Sequence, residues 1–212
     1  MAICFDLDGT LTDPKQGIFR CIRYALHALD VETPDDAALK SFIGPPLVDS
    51  FVTLLGDRAQ ADVAVQLYRQ RFSEVGLFEN QIYAGIPDVL RHLKAENHSL
   101  FVATSKPVIF AEKIINHFGL SSYFKAVYGS ELDGTRSDKT ELLSWIVERE
   151  HLQPKTCFMV GDRMHDMLGA KNTGMAAIGV LYGYGSPAEL QHAGAERLCH
   201  KPRDLLQVFC RL

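Results

Sequence analysis

The sequence predicts an α/β fold, with a parallel sheet flanked by helices and a small helical unit inserted after the first strand. Beyond residue 82, short apolar runs rich in strand-forming residues alternate with stretches of helical periodicity, which is typical of βαβ units. From Lys15 to Gln81 no convincing strand pattern occurs, and apolar residues recur at helical spacing. We therefore expect an α/β core formed by residues 1–13 and 82–212, and a helical cap formed by residues 14–81.

The individual elements follow from local patterns. The first strand is the apolar run at the amino terminus, and the insertion shows the pattern of roughly four helices, including stretches at 16–29, 46–55 and 60–77. In the core, the expected strands are 99–104, 125–129, 157–160 and 176–180, and the expected helices are 86–96, 107–118, 138–151 and 164–172. After residue 187 the sequence predicts one amphipathic helix near 203–210 and little else.

Composition narrows the class of protein. The chain has 212 residues, of which 47% are hydrophobic and 23% are charged, and its formal net charge is −4. No block of Lys and Arg stands out, which argues against a nucleic-acid polymer or an anionic membrane as the main partner. No apolar run approaches the roughly 18 residues of a membrane span, and the amino terminus lacks the pattern of a signal peptide.

The cysteines indicate a reducing compartment. They are odd in number, and no Cys-x-x-Cys spacing occurs among Cys4, Cys21, Cys157, Cys199 and Cys210. A disulfide framework or a cysteine metal cluster is therefore not expected, and a cytoplasmic location fits best.

Asp6 and Asp8 are the most informative residues of the chain. They follow a short apolar run and precede a glycine, so they are expected where a buried strand leads into a loop. Ligands bind at that edge of open α/β sheets. Two carboxylates one residue apart resist joint ionisation, and their oxygens suit hard cations. Taken alone, however, the pair is also compatible with a simple turn at the end of a strand.

Three other strand ends carry polar groups. The second core strand ends in Thr104–Lys106, the third leads through the loop 133–138 to Lys139 at a helix start, and the fourth ends in Gly161–Asp166. In a parallel sheet all of these ends lie at one edge, so carboxylates, a hydroxyl group, an ammonium group and loop amides are expected in one site.

These four motifs, in this order, resemble those of the haloacid dehalogenase superfamily, specifically its phosphatase branch with a helical cap after the first strand of a Rossmann-like core. The resemblance covers nearly the whole chain. It implies hydrolysis of a phosphomonoester with Mg²⁺ as cofactor, through an aspartyl-phosphate. The stretches 42–47, 161–166 and 180–185 are most similar to phosphoglycolate phosphatase-like and 5'-nucleotidase-like members.

The resemblance also implies roles for individual residues. Asp6 would be the nucleophile, and Asp8 would protonate the leaving oxygen and then accept a proton from water. Thr104 and Lys139 would neutralise the phosphoryl oxygens, together with backbone amides near Leu7 and Ser105.

The implied metal ligands are carboxylates and one carbonyl. Asp6, Asp162 and the backbone carbonyl of Asp8 would hold Mg²⁺, with Asp166 as a further ligand or as support for the others.

Several polar residues near these motifs receive a structural interpretation. Lys106 and Arg136 are interpreted as solvated or as braces of their loops, and His165 as a bystander in the first turn of a helix. The glycine-rich stretch 179–185 lacks the order of a dinucleotide-binding loop, so it is interpreted as a flexible loop near the site.

Some alternatives remain open at this stage. A dehalogenase is disfavoured, because halide displacement needs no general acid at the position of Asp8. A phosphomutase of the same superfamily and a catalytically weak binding relative remain alternatives. The expected partner is a small phosphomonoester, and the expected state is a monomer or homodimer. A small dianion would need a cation from the cap such as Arg20, Arg23 or Lys40, whereas a nucleotide would need an aromatic slot.

Overall fold

The computed structural model of the protein describes residues 1–209 and confirms the α/β fold class. The chain divides into two compact units, one formed by Met1–Asp13 with the chain from Ile82 onward, and the other formed by Pro14–Gln81. No helix within the described range combines the length and the apolar character needed to cross a membrane.

Six parallel strands form the central sheet of the first unit, in the order β5-β4-β1-β6-β7-β8. The strands are β1 (Ala2–Phe5), β2 (Thr12–Asp13), β3 (Gln81–Ile82), β4 (Ser99–Pro107), β5 (Ala126–Ser130), β6 (Cys157–Gly161), β7 (Ala176–Val180) and β8 (Arg197–Cys199). The two-residue strands β2 and β3 stand at the two ends of the insertion in the chain.

β1 lies inside the sheet, and all four of its residues are buried. It pairs with β4 on one side and β6 on the other, so that Phe5 lies opposite Val102 and Val160. The ladder continues one residue further, because the Asp6 amide donates to the Val160 carbonyl at 2.9 Å. Asp6 is therefore the first residue beyond a fully buried strand, at the carboxyl edge where the chain order reverses between β1 and β6.

Helices cover both faces of this sheet. They are α5 (Ile86–Ala95), α6 (Val108–His117), α7 (Lys139–Arg149), α8 (Met164–Thr173), α9 (Pro187–Ala193) and α10 (Asp204–Phe209). Ala2 and Cys4 pack with buried residues of α7, α8 and α9. Because side chains alternate along a strand, Ile3 and Phe5 point to the opposite face, where α5, α6 and α10 lie.

The carboxyl-terminal segment differs from the prediction. The structure contains α9 and β8 where the sequence was expected to have little secondary structure. The start of α9 has a recognisable signal, because Ser186 precedes a proline and its Oγ accepts the amide of Glu189 at 3.1 Å. β8 has three residues and begins with an exposed arginine, which gives too short a pattern for recognition.

The predicted helix near 203–210 corresponds to α10 over the described residues. Cys210, the last residue of that prediction, lies outside them. Cys4, Cys157 and Cys199 are buried free thiols.

The second unit is helical, and its helices are α1 (Lys15–Ala28), α2 (Asp36–Leu39), α3 (Leu47–Leu55) and α4 (Arg58–Glu74). Two arginines named as candidate cations for a small dianionic substrate are engaged in ion pairs inside this unit. Arg20 lies 2.6 Å from Glu79, which also pairs with Arg71, and Arg23 pairs with Asp36.

Candidate active site

Six side chains that the sequence singled out are buried at the carboxyl edge of the sheet or on the helices that follow it. Each is between 0% and 9% exposed. Asp6 and Asp8 follow β1, Thr104 lies on β4, Lys139 opens α7, and Asp162 follows β6, with Asp166 in the first turn of α8. Ionisable side chains are rarely so buried without a partner, so each of the buried carboxylates and the buried lysine needs an oppositely charged or hydrogen-bonding neighbour.

The ammonium group of Lys139 joins three of the elements. Its Nζ lies 2.8 Å from the Ala103 carbonyl, 2.8 Å from Asp166 Oδ1 and 3.2 Å from Asp6 Oδ1. Burial alone would lower the pKa of Lys139, but the Asp166 and Asp6 carboxylates outweigh it and the pKa is raised. Lys139 is therefore a permanent cation at this edge.

Lys139 is held by the start of its helix. The preceding residue, Asp138, accepts the amide of Glu141 at 2.9 Å, and this bond fixes the first turn of α7. Its position places the lysine stem inward, beside Gly169 of α8, where an added Cβ would lie 2.8 Å from Lys139 Cγ.

Three carboxylates form an acidic cluster around this ammonium. Ligand atoms of Asp6, Asp162 and Asp166 lie within 4.8 Å of one another. Burial raises the pKa of Asp162 well above its ordinary value, and the nearby Asp166 and Asp6 raise it further. Burial also raises the pKa of Asp166, to about 6, although Lys139 opposes this effect. The cluster thus holds more negative charge than Lys139 offsets.

The carboxylates of Asp162 and Asp166 are oriented by their surroundings. Asp162 Oδ2 accepts the Tyr184 amide at 2.8 Å, and its Oδ1 lies 3.4 Å from the Thr10 hydroxyl. Asp166 Oδ2 accepts the Arg163 amide at 3.1 Å, as part of a capping box at the start of α8. Both oxygens of Asp166 are therefore engaged, one by this amide and one by Lys139.

Glycines permit the close approach of these segments. At Gly9, where φ is +83°, a Cβ would lie 2.1 Å from Asp162 Oδ2. At Gly183 a Cβ would lie 2.3 Å from the Gly9 carbonyl oxygen and 2.5 Å from Asp162 Oδ2. The glycine-rich loop after β7 is thus packed directly against Asp162, and its glycines serve this contact rather than a dinucleotide.

Lys106 differs from its predicted role as a solvated or loop-bracing residue. Its side chain is 9% exposed, and its Nζ lies 2.7 Å from Asp8 Oδ2. The solvated interpretation was wrong because this contact joins residues far apart in the sequence, which the pairing of β4 with β1 brings together. Burial raises the pKa of Asp8, while Lys106 acts in the opposite direction.

The other residues that the sequence singled out each have their own contacts. The Leu7 amide donates to Asp6 Oδ1 at 2.8 Å, and the Ser105 carbonyl accepts from the Ser130 hydroxyl at 2.9 Å. Arg136 pairs with Glu131 and lies 4.4 Å above the Trp145 ring, in agreement with a bracing role. Burial lowers the pKa of His165, which favours its neutral form.

The donor set suits a hard divalent cation. Three carboxylates converge, their combined charge exceeds that of the neighbouring ammonium, and oxygen is the ligand that Mg²⁺ prefers. A cation at this position would offset the repulsion that raises the pKa of Asp162. The residues present therefore fit Mg²⁺.

The fold and the site together are typical of an α/β enzyme, because strand-end carboxylates and the ammonium groups of Lys106 and Lys139 meet at the carboxyl edge of a parallel sheet. Comparison with known proteins agrees. The model of the haloacid dehalogenase-like hydrolase family matches residues 3–180, and the chain belongs to this family.

Individual relatives are similar over almost the whole chain. A Pseudomonas aeruginosa protein named 5'-nucleotidase is 50% identical over 208 residues, which cover 98% of this chain and 94% of the relative. A Vibrio vulnificus phosphoglycolate phosphatase is 27% identical, covering 86% of this chain and 84% of the relative.

Among solved structures, a predicted phosphatase from Clostridium acetobutylicum has a TM-score of 0.95 and 40% identity, covering 100% of this chain and 98% of that one. The predicted enzyme class, a phosphatase of this superfamily, is confirmed by these matches.

Removing the Lys139 ammonium should show how much it contributes to stability by compensating the charge of the buried carboxylates. In metal-free protein at pH 8, Lys139→Met should lower the free energy of unfolding by about 3–5 kcal/mol, because it leaves buried carboxylates uncompensated. The folded-state pKa values of Asp162 and Asp166 already lie above the unfolded value, so rising pH costs the folded state stability. Because Lys139 lowers the pKa of Asp166, losing it raises that pKa further, and the deficit should therefore shrink at pH 5.

Urea unfolding with EDTA at both pH values measures this deficit. Lys125→Met is the matched control, because Lys125 pairs with Glu150 at the surface and its loss should cost about 0–1 kcal/mol. A deficit for Lys139→Met that is the same at pH 5 and pH 8 would show that electrostatic balance is not its cause.

Proposed function

We propose that this protein hydrolyses small phosphomonoesters with Mg²⁺, through a phosphoryl group carried by Asp6. The observation that supports this most directly is the contact of Asp6 with Lys139 inside the cluster formed with Asp162 and Asp166. A carboxylate in this position is fixed at the sheet edge and faces a permanent cation. It is therefore suited to attack a phosphorus atom whose oxygens need positive partners.

The reaction proceeds in two displacements. In the first, a carboxylate oxygen of Asp6 bonds to phosphorus, the bond to the leaving oxygen breaks, and the Asp8 carboxyl gives that oxygen its proton. In the second, Asp8 takes a proton from water as the water oxygen attacks phosphorus, and the bond to Asp6 breaks. The raised pKa of the buried Asp8 suits a group that must be protonated for the first step.

Positive partners for the phosphoryl oxygens come from the neighbouring elements. We assign Lys139 and the Thr104 hydroxyl to this role, with the amides near Leu7 and Ser105. Thr104 is 2% exposed and accepts the Lys106 amide at 3.3 Å, so its hydroxyl proton remains available for an anionic oxygen.

Mg²⁺ would be held by Asp6, Asp162 and the backbone carbonyl of Asp8. When bound, it would neutralise part of the charge of the phosphate and of the carboxylates. Because Asp166 Oδ1 lies 2.8 Å from the Lys139 ammonium and its Oδ2 is held at the start of α8, we assign Asp166 mainly to orienting Lys139 rather than to direct ligation.

For the substrate, we propose a nucleoside 5'-monophosphate or phosphoglycolate type of ester. The 50% identity to a protein named 5'-nucleotidase favours the nucleotide. The insertion Pro14–Gln81 would act as the cap that selects it. We further propose a cytoplasmic monomer or homodimer, without nucleic-acid or membrane partners.

A substrate panel tests the activity. Release of phosphate from nucleoside 5'-monophosphates, phosphoglycolate and sugar phosphates should require Mg²⁺, and Asp6→Asn should reduce it at least about a thousandfold because the nucleophile is lost. The control Asp88→Asn, at an exposed position on α5, should retain the activity. Turnover without a metal ion, or in Asp6→Asn, would contradict the mechanism, whereas isomerised sugar phosphates without phosphate release would indicate a phosphomutase.

Metal binding can be measured without turnover. Excess Mg²⁺ should raise the melting temperature, by an amount equivalent to about 2.7 kcal/mol at a hundred times the dissociation constant. The shift should be larger at pH 8 than at pH 5, because protons compete with the ion for the Asp162 carboxyl, whose pKa is raised well above its ordinary value. Asp162→Asn should lose the shift and Asp88→Asn should keep it. An unchanged shift in Asp162→Asn would place the ion elsewhere.

A further inference from the structure

We propose that Lys106 is a positioning residue that determines which oxygen of Asp8 exchanges the proton with substrate and water. This inference rests on the proposed function, because it concerns the proton transfer assigned there to Asp8.

The two oxygens of Asp8 have different surroundings. Oδ2 lies 2.7 Å from the Lys106 ammonium, and the two side chains are 12% and 9% exposed. Oδ1 is buried and has no hydrogen-bond partner among the described residues. A charge-assisted bond in a buried position is among the stronger contacts of a carboxylate. Rotation of the carboxyl would break it, so Lys106 occupies Oδ2 and leaves Oδ1 as the oxygen whose hydrogen-bonding capacity is unused.

The backbone of Lys106 is fixed on both sides. Its amide donates to the Thr104 hydroxyl at 3.3 Å, and the preceding residue, Ser105, is tied to β5 through the Ser130 hydroxyl at 2.9 Å. At Gly129 of β5, an added Cβ would lie 2.5 Å from the Lys106 carbonyl oxygen. The register of β4 with β5 also shifts between Ala103 and Pro107. Close packing fixes this irregular part of β4, and it thereby fixes the backbone position from which the Lys106 side chain reaches Asp8.

Lys106 and Lys139 serve different carboxylates. Lys139 contacts Asp6 and Asp166, whereas the ion pair of Lys106 is with Asp8. Lys139 of α7 thus supplies positive charge beside Asp6, and Lys106 of β4 orients Asp8.

In the first displacement, the proton on Oδ1 passes to the leaving oxygen as that oxygen receives the electron pair of the breaking bond to phosphorus. In the second, a proton of the attacking water returns to Oδ1, while the electron pair of the bond to Asp6 returns to the Asp6 carboxylate. Lys106 holds Oδ2 in both steps. Without it, the Asp8 carboxyl can rotate away from the reacting oxygen.

Comparing phosphate esters with different leaving groups distinguishes a role of Lys106 in positioning Asp8 from a role in substrate binding. 4-Nitrophenolate leaves with little need of a proton, whereas an alkoxide needs one. For Lys106→Met, kcat/KM should fall at least about tenfold on an alkyl phosphomonoester and less than about threefold on 4-nitrophenyl phosphate. With 4-nitrophenyl phosphate, a rapid burst of nitrophenolate of about one per active site should precede slow turnover, because the second step also needs Asp8.

Variants provide the controls. Lys106→Arg keeps a cation for Oδ2 and should restore part of the alkyl-ester activity, and Lys106→Gln replaces the charge by a polar group of similar length if the methionine variant does not fold. Lys125→Met, which removes a surface lysine paired with Glu150, should leave both rates within about twofold.

Two results would overturn the inference. Equal losses on both esters would assign Lys106 to binding or to structure, and a rise in KM with unchanged kcat would assign it to the substrate. Both outcomes leave the proposed function intact as long as wild-type activity depends on Asp6. If the wild-type protein hydrolyses no phosphomonoester, the proposed function and this inference fail together.

Discussion

The ion pairs of Lys139 hold the active site together. Its ammonium lies within 3.2 Å of carboxylates from two different segments and also donates to the Ala103 carbonyl of β4. Bringing carboxylates together away from water is unfavourable, and one fixed cation compensates part of that cost. The remaining negative charge is what makes a divalent ion favourable. The same imbalance that limits the stability of the metal-free protein thus suits the site to the divalent ion that we propose as its cofactor.

Backbone geometry places the charged groups within reach of one another. The buried strand β1 determines where Asp6 emerges, and the strand order places β4 and β6 on its two sides. Gly9 and Gly183 then let two loops approach Asp162 more closely than any side chain would allow. Because these contacts lie on separate elements, the site depends on the packing of the whole sheet edge rather than on one motif.

The sequence was informative where chemistry and local structure coincide. The apolar run of β1 and the carboxylates that follow it predicted the sheet edge, and the order of strands and helices predicted a parallel sheet. It was less informative where a contact joins distant segments. The pair of Lys106 with Asp8 follows from the neighbouring positions of β4 and β1, which are set by the fold. The edge strand β8 was missed because three residues carry too little periodicity, although Ser186 did signal the start of α9.

The central claim is that Asp6 carries the phosphoryl group during turnover. Its most direct test is to incubate the Asp8→Asn variant with 4-nitrophenyl phosphate and Mg²⁺, quench in acid, and locate the phosphoryl group by peptide mass spectrometry. The account predicts a phosphoryl group on Asp6, since the variant forms the intermediate from a good leaving group but cannot activate water to hydrolyse it. A phosphoryl group on another residue, or nitrophenolate release by this variant at the wild-type rate with Asp6 unmodified, would contradict the account.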